Sequence, residues 1–328
     1  MTQVDIGIPT HGRPHYVAEA IESVLAQQLT EWRLTVSEDG PGSEAIAAAV
    51  APYLDDPRIA YITTGEHVGA AANMSGLIAR GDAPYVALLH DDDRWAPTFL
   101  ARRVAVLEQH PQCGLVCSSC KVIDETGAVL RDIPPRMPAP LMAPADFAPA
   151  MLRRNLVSTP TVLVRRRAYE AVGPVFDARF KRIYDYEMWL RIGVRFAVVA
   201  IPDTDTYWRL HGEQSTLQGR RRGNELIAFL DHAEALIARE LPGVRLDEGD
   251  RSYVRARRLL SAGLDAVELG ERGAARGLLR RAVRMHPPLM VNTRLVAAIA
   301  GLATGRRGRS LLGAARLHAR RRNIRVPV

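Results

Sequence analysis

Short apolar runs that each stop at a cluster of polar residues constrain this chain more than any other feature. Val4-Asp5-Ile6-Gly7-Ile8 halts at Pro9 and leads into Thr10-His11-Gly12-Arg13. Residues 33–37 lead into Glu38-Asp39-Gly40, and residues 85–89 into His90-Asp91-Asp92-Asp93. Segments of helical period lie between. After Pro14, a residue suited to a first helical turn, Val17, Ile21, Val24 and Leu25 fall on one face. Residues 43–54, 69–78 and 97–109 read as further helices, and residues 58–62 and 114–118 as further strands. The alternation predicts an α/β fold, a Rossmann-like, mostly parallel sheet sandwiched by helices. Ligands of such sheets bind outside the carboxyl ends of the strands. The three polar clusters are therefore expected to face one crevice.

Charge divides the chain unequally. Residues 1–218 carry 21 basic and 26 acidic side chains, a balance of −5, whereas residues 219–328 carry 23 and 10, a balance of +13. The formal charge of +8 thus belongs to the C-terminal third and says little about what the rest binds. Hydrophobic residues make up 47%, which excludes a disordered or fibrous chain. Cys113, Cys117 and Cys120 are too few and too close for a disulfide framework and too few for structural zinc, so a cytoplasmic protein is expected. Residues 1–3 show no basic start, and the apolar stretch at 295–303 is too short to span a bilayer. Residues 131–149 hold six prolines and read as a long loop, either a lid or binding segment or a passive excursion.

Asp91-Asp92-Asp93 is the run most suggestive of chemistry. Three adjacent carboxylates repel one another and are costly near a partly buried crevice without a counter-charge. A divalent cation that favours oxygen ligands, Mg2+ or Mn2+, removes that cost and leaves room for substrate phosphates. A solvated acidic turn at the start of the helix near Pro97 explains the same run. The preceding strand favours the cation, because it aims the run at the crevice.

Six segments, in order, resemble the motifs of family 2 glycosyltransferases with the GT-A fold: IGIPTHGRPHYVAEAIESVLAQ, VSEDGPGSEA, HVGAAANMSGL, LLHDDDRWAPTFL, YDYEMWLRI and YWRLHGEQS. The resemblance covers residues 4–215. It implies a crevice for a UDP-, GDP- or dTDP-sugar lined by Pro9, Thr10, Arg13, Glu38, Asp39, Asn73, Asp91, Asp92 and Arg209. It implies Mg2+ or Mn2+ held by Asp91, Asp92 and Asp93, with His211 as a further ligand. It also implies that Asp185 is the catalytic base. Two departures stand out. Glu38-Asp39 replaces the family's Asp-Asp, and His90 occupies the first position of its Asp-x-Asp-Asp. The triplet therefore reads in two registers, Asp91 with Asp93 or Asp92 with Asp93.

The role of Asp185 has a physical basis. Transfer with inversion needs one carboxylate to take the acceptor's proton while the leaving diphosphate is stabilised on the opposite face. Asp185 also reads as the N-cap of a helix over residues 186–192. Glu187 would point elsewhere on that helix, and Trp189 and Leu190 read as core. Ser158 and Thr159, before Pro160 and a strand over 161–164, read as contacts to sugar hydroxyls or as plain turn residues.

Two domains are expected, residues 1–218 and a basic helical extension over 219–328. Residues 251–286 read as a helix pair of the tetratricopeptide sort, closed by Pro287-Pro288. Arg306-Arg307-Gly308-Arg309 and Arg320-Arg321-Arg322 read as solvated helix faces or as peripheral contact with an anionic membrane. Nucleic acid is excluded as a partner, because stacking aromatics are missing there. The expected activity is inverting transfer of a sugar to a hydroxyl of a glycan, a lipid-linked saccharide or a small molecule. The alternative is a non-catalytic domain that binds nucleotide-sugar or glycan. A nucleotidyltransferase would show a glycine-rich basic loop after the first strand, which Thr10-His11-Gly12-Arg13 matches poorly.

Overall fold

A computed structural model describes residues 2–173, 175–212 and 222–291. The chain divides into two units, Met1–Met151 with Asn155–Gln214, and Leu152–Arg154 with Ser215–Val328.

The main sheet of the first unit has the order β3 (Ile59–Thr63), β2 (Trp32–Glu38), β1 (Val4–Thr10), β4 (Tyr85–Leu88), β10 (Leu163–Arg165), β6 (Cys113–Ser118), β11 (Ala197–Ile201) and β9 (Leu141–Met142). Strands β3, β2, β1 and β4 run parallel, as do β6 and β11. Strand β10 lies antiparallel between the two blocks, and β9 closes the edge antiparallel to β11. The sheet is thus mostly parallel, as the alternation predicts. Helices α1 (Pro14–Leu25), α2 (Glu44–Val50) and α4 (Phe99–Gln109) cover one face. Their Val17, Ile21, Ile46, Phe99 and Leu107 share one buried cluster with Val4, Ile6, Ile8, Leu34 and Val36. Each such side chain contributes roughly 1.5–3 kcal/mol of burial. Helix α3 (Ala70–Ala79) packs on the other face at Gly7, where an added Cβ would lie 2.9 Å from Leu77 Cβ.

A smaller sheet has the order β5 (Arg94–Trp95), β12 (Thr206–Arg209), β7 (Cys120–Ile123) and β8 (Val129–Ile133). It joins the segment just after the acidic run to the segment carrying Arg209.

Three local expectations change. Residues 131–149 are not one loop: β8, β9 and α5 (Pro144–Arg153) occupy most of them. Pro144 stands at the helix start, where its missing N–H costs nothing. Pro149 does forgo one intrahelical bond, but Phe147, Ala148 and Met151 are fully buried and hold the helix in place. Helix α6 (Arg166–Val172) follows β10, and α7 (Tyr184–Gly193) begins earlier than expected. Its N-cap is Ile183, so Asp185 lies inside the first turn and is not the cap. Residues Thr159–Thr161 form a 3-10 turn, and the strand after them starts only at Leu163.

The second unit is helical: α8 (Arg222–Glu240), α9 (Glu248–Leu269) and α10 (Arg272–Met285). Asp247 caps α9 by accepting from Asp250 N at 2.8 Å. Leu259, Leu260 and Leu264 of α9 share a buried cluster with Ala275, Leu279 and Ala282 of α10. The expected helix pair is therefore present, with the turn at Gly270-Glu271. Both arginine clusters, at 306–309 and 320–322, lie outside the described residues, as does Ser215. Among the described residues no helix is long and apolar enough to cross a membrane.

Candidate active site

Strand register brings the polar clusters together. In the β1–β4 pair Gly7 stands beside Leu88, and past the end of β4 Thr10 and Asp91 come together. Thr10 Oγ1 donates to Asp91 Oδ2 at 2.7 Å. In the β1–β2 pair Thr10 stands beside Glu38. Arg13 precedes Pro14 as the N-cap of α1, at φ −127° and ψ 63°. From there Arg13 Nη1 donates to Asp92 Oδ2 at 2.6 Å, while Nη2 lies 2.6 Å from Asp91 Oδ1.

The acidic run is buried: Asp91, Asp92 and Asp93 are 0%, 6% and 1% exposed. His211 Nε2 lies 2.9 Å from Asp92 Oδ2. Asp93 Oδ1 accepts from Arg209 N at 2.9 Å; among the described residues Oδ2 has no hydrogen bond, and the His90 ring lies 3.6 Å away. Burial pushes Asp91 up to about 6 against the pull of Arg13. Burial likewise lifts Asp93 to about 6 despite His90. For Asp92 burial acts upward too, but the His211 hydrogen bond and the Arg13 charge prevail and hold it below the usual carboxylate range. Burial would lower His90, yet Asp93, Asp92 and Asp91 outweigh it and carry the imidazole up to about 9.

This donor set fits a divalent cation. His90, Asp92 and Asp93 each offer one ligand atom, all within 4.8 Å of one another. The unbonded Asp93 oxygen is what such an ion would satisfy. His90 stood out in the sequence only as a departure from the acidic motif. The structure makes it a ligand candidate, and turns Asp91 toward Thr10 and Arg13.

Other expected site residues are placed differently. Glu38 is buried and accepts from Ser43 N at 3.1 Å and from the Tyr61 hydroxyl. Asp39 Oδ1 accepts from Val68 N at 2.8 Å and Gly69 N at 3.2 Å. His11 Nδ1 and His67 Nδ1 each lie 3.0 Å from Asp39 O, forming a second group that could share a cation. Gly40, at φ +136°, admits this arrangement, since a Cβ there would lie 2.7 Å from the His67 ring. Asn73 is bound within the fold: its Nδ2 donates to Ser37 O at 2.9 Å, and its Oδ1 accepts from Ser37 Oγ at 2.6 Å. Arg209 is fully buried beneath the run and donates to Asp92 O, Glu125 O and Glu19 Oε2 at 2.9, 3.0 and 2.6 Å. Pro9 is half-buried at the end of β1. Asp185 stands apart on α7 and accepts from Thr159 Oγ1 at 2.8 Å. Glu187 does point elsewhere, to Arg191 Nε at 2.9 Å.

The model of glycosyl transferase family 2 matches residues 5–171, about half of the chain. The chain belongs to that family. This family 2 chain shares 29% identity over 178 residues with EpsE of Bacillus subtilis strain 168, named as a putative glycosyltransferase. That match covers 53% of this chain and 61% of EpsE, so the chain spans about three fifths of that relative. WcaA of Escherichia coli K12, named for colanic acid biosynthesis, is 26% identical over 59% of this chain and 67% of its own. Among solved structures, S. aureus TarS residues 1–349, in complex with UDP-GlcNAc, superposes with a TM-score of 0.64 at 14% identity, covering 97% of this chain and 92% of that fragment. The mannosyltransferase PcManGT of Pyrobaculum calidifontis, in complex with GDP-Man and Mn2+, gives 0.54 at 15% identity, over 99% and 88%. At these identities the structures speak for the GT-A fold alone.

Proposed function

We propose that the chain is a metal-dependent, inverting glycosyltransferase that moves a sugar from a nucleotide-sugar to an acceptor hydroxyl. One observation carries this reading: a buried acidic run with an unbonded Asp93 oxygen at the strand ends, and a separate carboxylate, Asp185, on another element. The nucleotide-sugars bound by TarS and PcManGT support a UDP- or GDP-linked donor, and a dTDP-linked one fits the same chemistry. Asp92 and Asp93 with His90 would hold Mg2+ or Mn2+, with His211 behind Asp92. Such a cation would supply positive charge to the leaving diphosphate.

The protein's own groups have distinct tasks in this reading. Arg13 adds a second positive charge at the crevice. Asp39 and the histidines at the ends of β1 and β3 offer hydrogen bonds to the nucleoside. Arg209 acts beneath the run and sets its position. Asp185 takes the proton of the acceptor hydroxyl as its oxygen attacks the anomeric carbon. A single displacement by one base inverts the configuration. The name of WcaA supports a polysaccharide-building role, with a glycan or lipid-linked acceptor. Membrane contact through the arginine-rich residues beyond 291 rests on charge alone, and flotation with anionic vesicles at low and high salt tests it.

A thermal-shift panel of UDP-, GDP- and dTDP-sugars with Mn2+ identifies the donor, since binding to the folded state alone raises its stability. Asp185→Asn should then abolish transfer while leaving the donor-induced shift intact. Full activity in that variant would remove Asp185 as the base. A non-catalytic binder would show the shift without any release of nucleoside diphosphate.

A further inference from the structure

The turn Thr159–Thr161 is anchored more firmly than a passive connection requires. Trp95 Nε1 donates to Pro160 O at 2.8 Å, and Arg103 Nε donates to Thr161 O at 2.9 Å. Thr161 Oγ1 donates to Ser158 O at 2.7 Å and accepts from Ser118 N at 3.3 Å. Arg103 is itself clamped by both oxygens of Asp205, at 2.8 and 2.9 Å. Trp95, Arg103 and Thr161 are all buried. Three successive elements thus fix a turn from which Thr159 Oγ1 donates to Asp185 Oδ2 at 2.8 Å. Thr159 is 6% exposed and β-branched, so its hydroxyl has little freedom to aim elsewhere. Among the described residues Asp185 has no other side-chain hydrogen bond.

From this we infer that Thr159 is the positioning residue for the base. Its hydroxyl occupies Asp185 Oδ2 and so reserves Oδ1 for the acceptor. The inference rests on the reading of Asp185 as base. The acceptor O–H proton passes to Oδ1, the acceptor oxygen bonds to the anomeric carbon, and the bond from that carbon to the diphosphate oxygen breaks with its electron pair on the diphosphate. The anchoring also ties the two halves of the site. Trp95 follows Asp93 by two residues and grips Pro160, the neighbour of Thr159. The spacing between acidic run and base is thereby set through buried contacts.

The test compares Thr159→Val, which keeps the branched shape without the donor, with Thr159→Ser, which keeps the donor. Release of nucleoside diphosphate is followed with Mn2+ and whichever UDP-, GDP- or dTDP-sugar the wild type turns over fastest, water serving as acceptor. Thr159→Val should lower kcat about tenfold, the scale expected for a misaimed catalytic group. Donor KM and Tm should stay unchanged, and Thr159→Ser should restore kcat to within about threefold. An unchanged kcat in Thr159→Val, or an equal loss in Thr159→Ser, overturns the inference. Asp185→Asn separates the two claims: if it stays active the base is misassigned, and if it is dead while Thr159→Val is fully active, only the positioning role fails. A crystal structure of Thr159→Val gives a substrate-free readout. The Asp185 carboxylate should leave its present orientation, and an unmoved carboxylate overturns the inference.

Discussion

The cost of keeping Asp93 ionised can be measured with Asp93→Asn. Asp93 is 1% exposed, and its Oδ2 has no hydrogen-bond partner. Burial lifts its carboxyl from 3.8 to about 6. A folded-state pKa above the unfolded value means the folded protein holds the proton more tightly. That stability is full below 3.8 and is lost as pH rises through about 6. At pH 8 Asp93 is ionised in both states, and the folded state bears about 3 kcal/mol. His90 returns part of this. Its imidazole, raised from 6.5 to about 9, favours folding below 6.5 and loses that advantage as pH rises through about 9. At pH 8, one pH unit below its folded value, it contributes about 1 kcal/mol, most of which depends on a charged neighbour. Asparagine removes both effects while its Oδ1 still accepts from Arg209 N. The net gain is about 2 kcal/mol, or ~4–8 °C in Tm for a unit of this size. Thermal unfolding in EDTA should show that gain at pH 8, and it should shrink as pH falls, with about half of the Asp93 cost left at pH 5 and full relief only below 3.8. With Mn2+ at pH 8 the wild type should gain stability and the variant should not. A variant that is less stable than wild type at pH 8 in EDTA would refute the argument that the site stores unrelieved charge for a cation.

Two further perturbations probe the scaffold. Arg209→Ala leaves the carbonyls beneath the run unpaired and Glu19 with Arg94 at 3.4 Å, and should cost about 1–3 kcal/mol; urea unfolding reads this, and no loss at all would show that the hub is dispensable. Gly40→Ala adds a methyl against the His67 ring at a left-handed φ and should cost about 1–3 kcal/mol, with a matching fall in the urea midpoint.

Much of the fold was legible because its signals are local. The period of residues 4–8 and 17–25, and Pro14 between them, predicts β1 and α1 without reference to anything distant. The proline count of residues 131–149 misled because it weighs only what proline forbids. Pro144 sits where its lost N–H is harmless, and Phe147 and Met151 supply burial that overrides Pro149. Asp185 was read as a cap because caps precede helices, yet α7 starts at Tyr184, two residues earlier than the expected 186.

Sequence alone determined which polar clusters follow the strands, though not that His90 joins the acidic run. Polar clusters after apolar runs, in a parallel α/β order, place Thr10, Arg13, Asp39 and Asp91 to Asp93 at one end of one sheet. Tertiary structure decided who pairs with whom. Asp91 met Arg13 and Thr10, Asp92 met His211, and Asp93 was left with an open oxygen toward His90. Glu38 turned to Tyr61, Asn73 to Ser37, and Asp185 to Thr159. These choices join residues far apart in the chain, through strand register and close packing. Local periodicity carries no information about either.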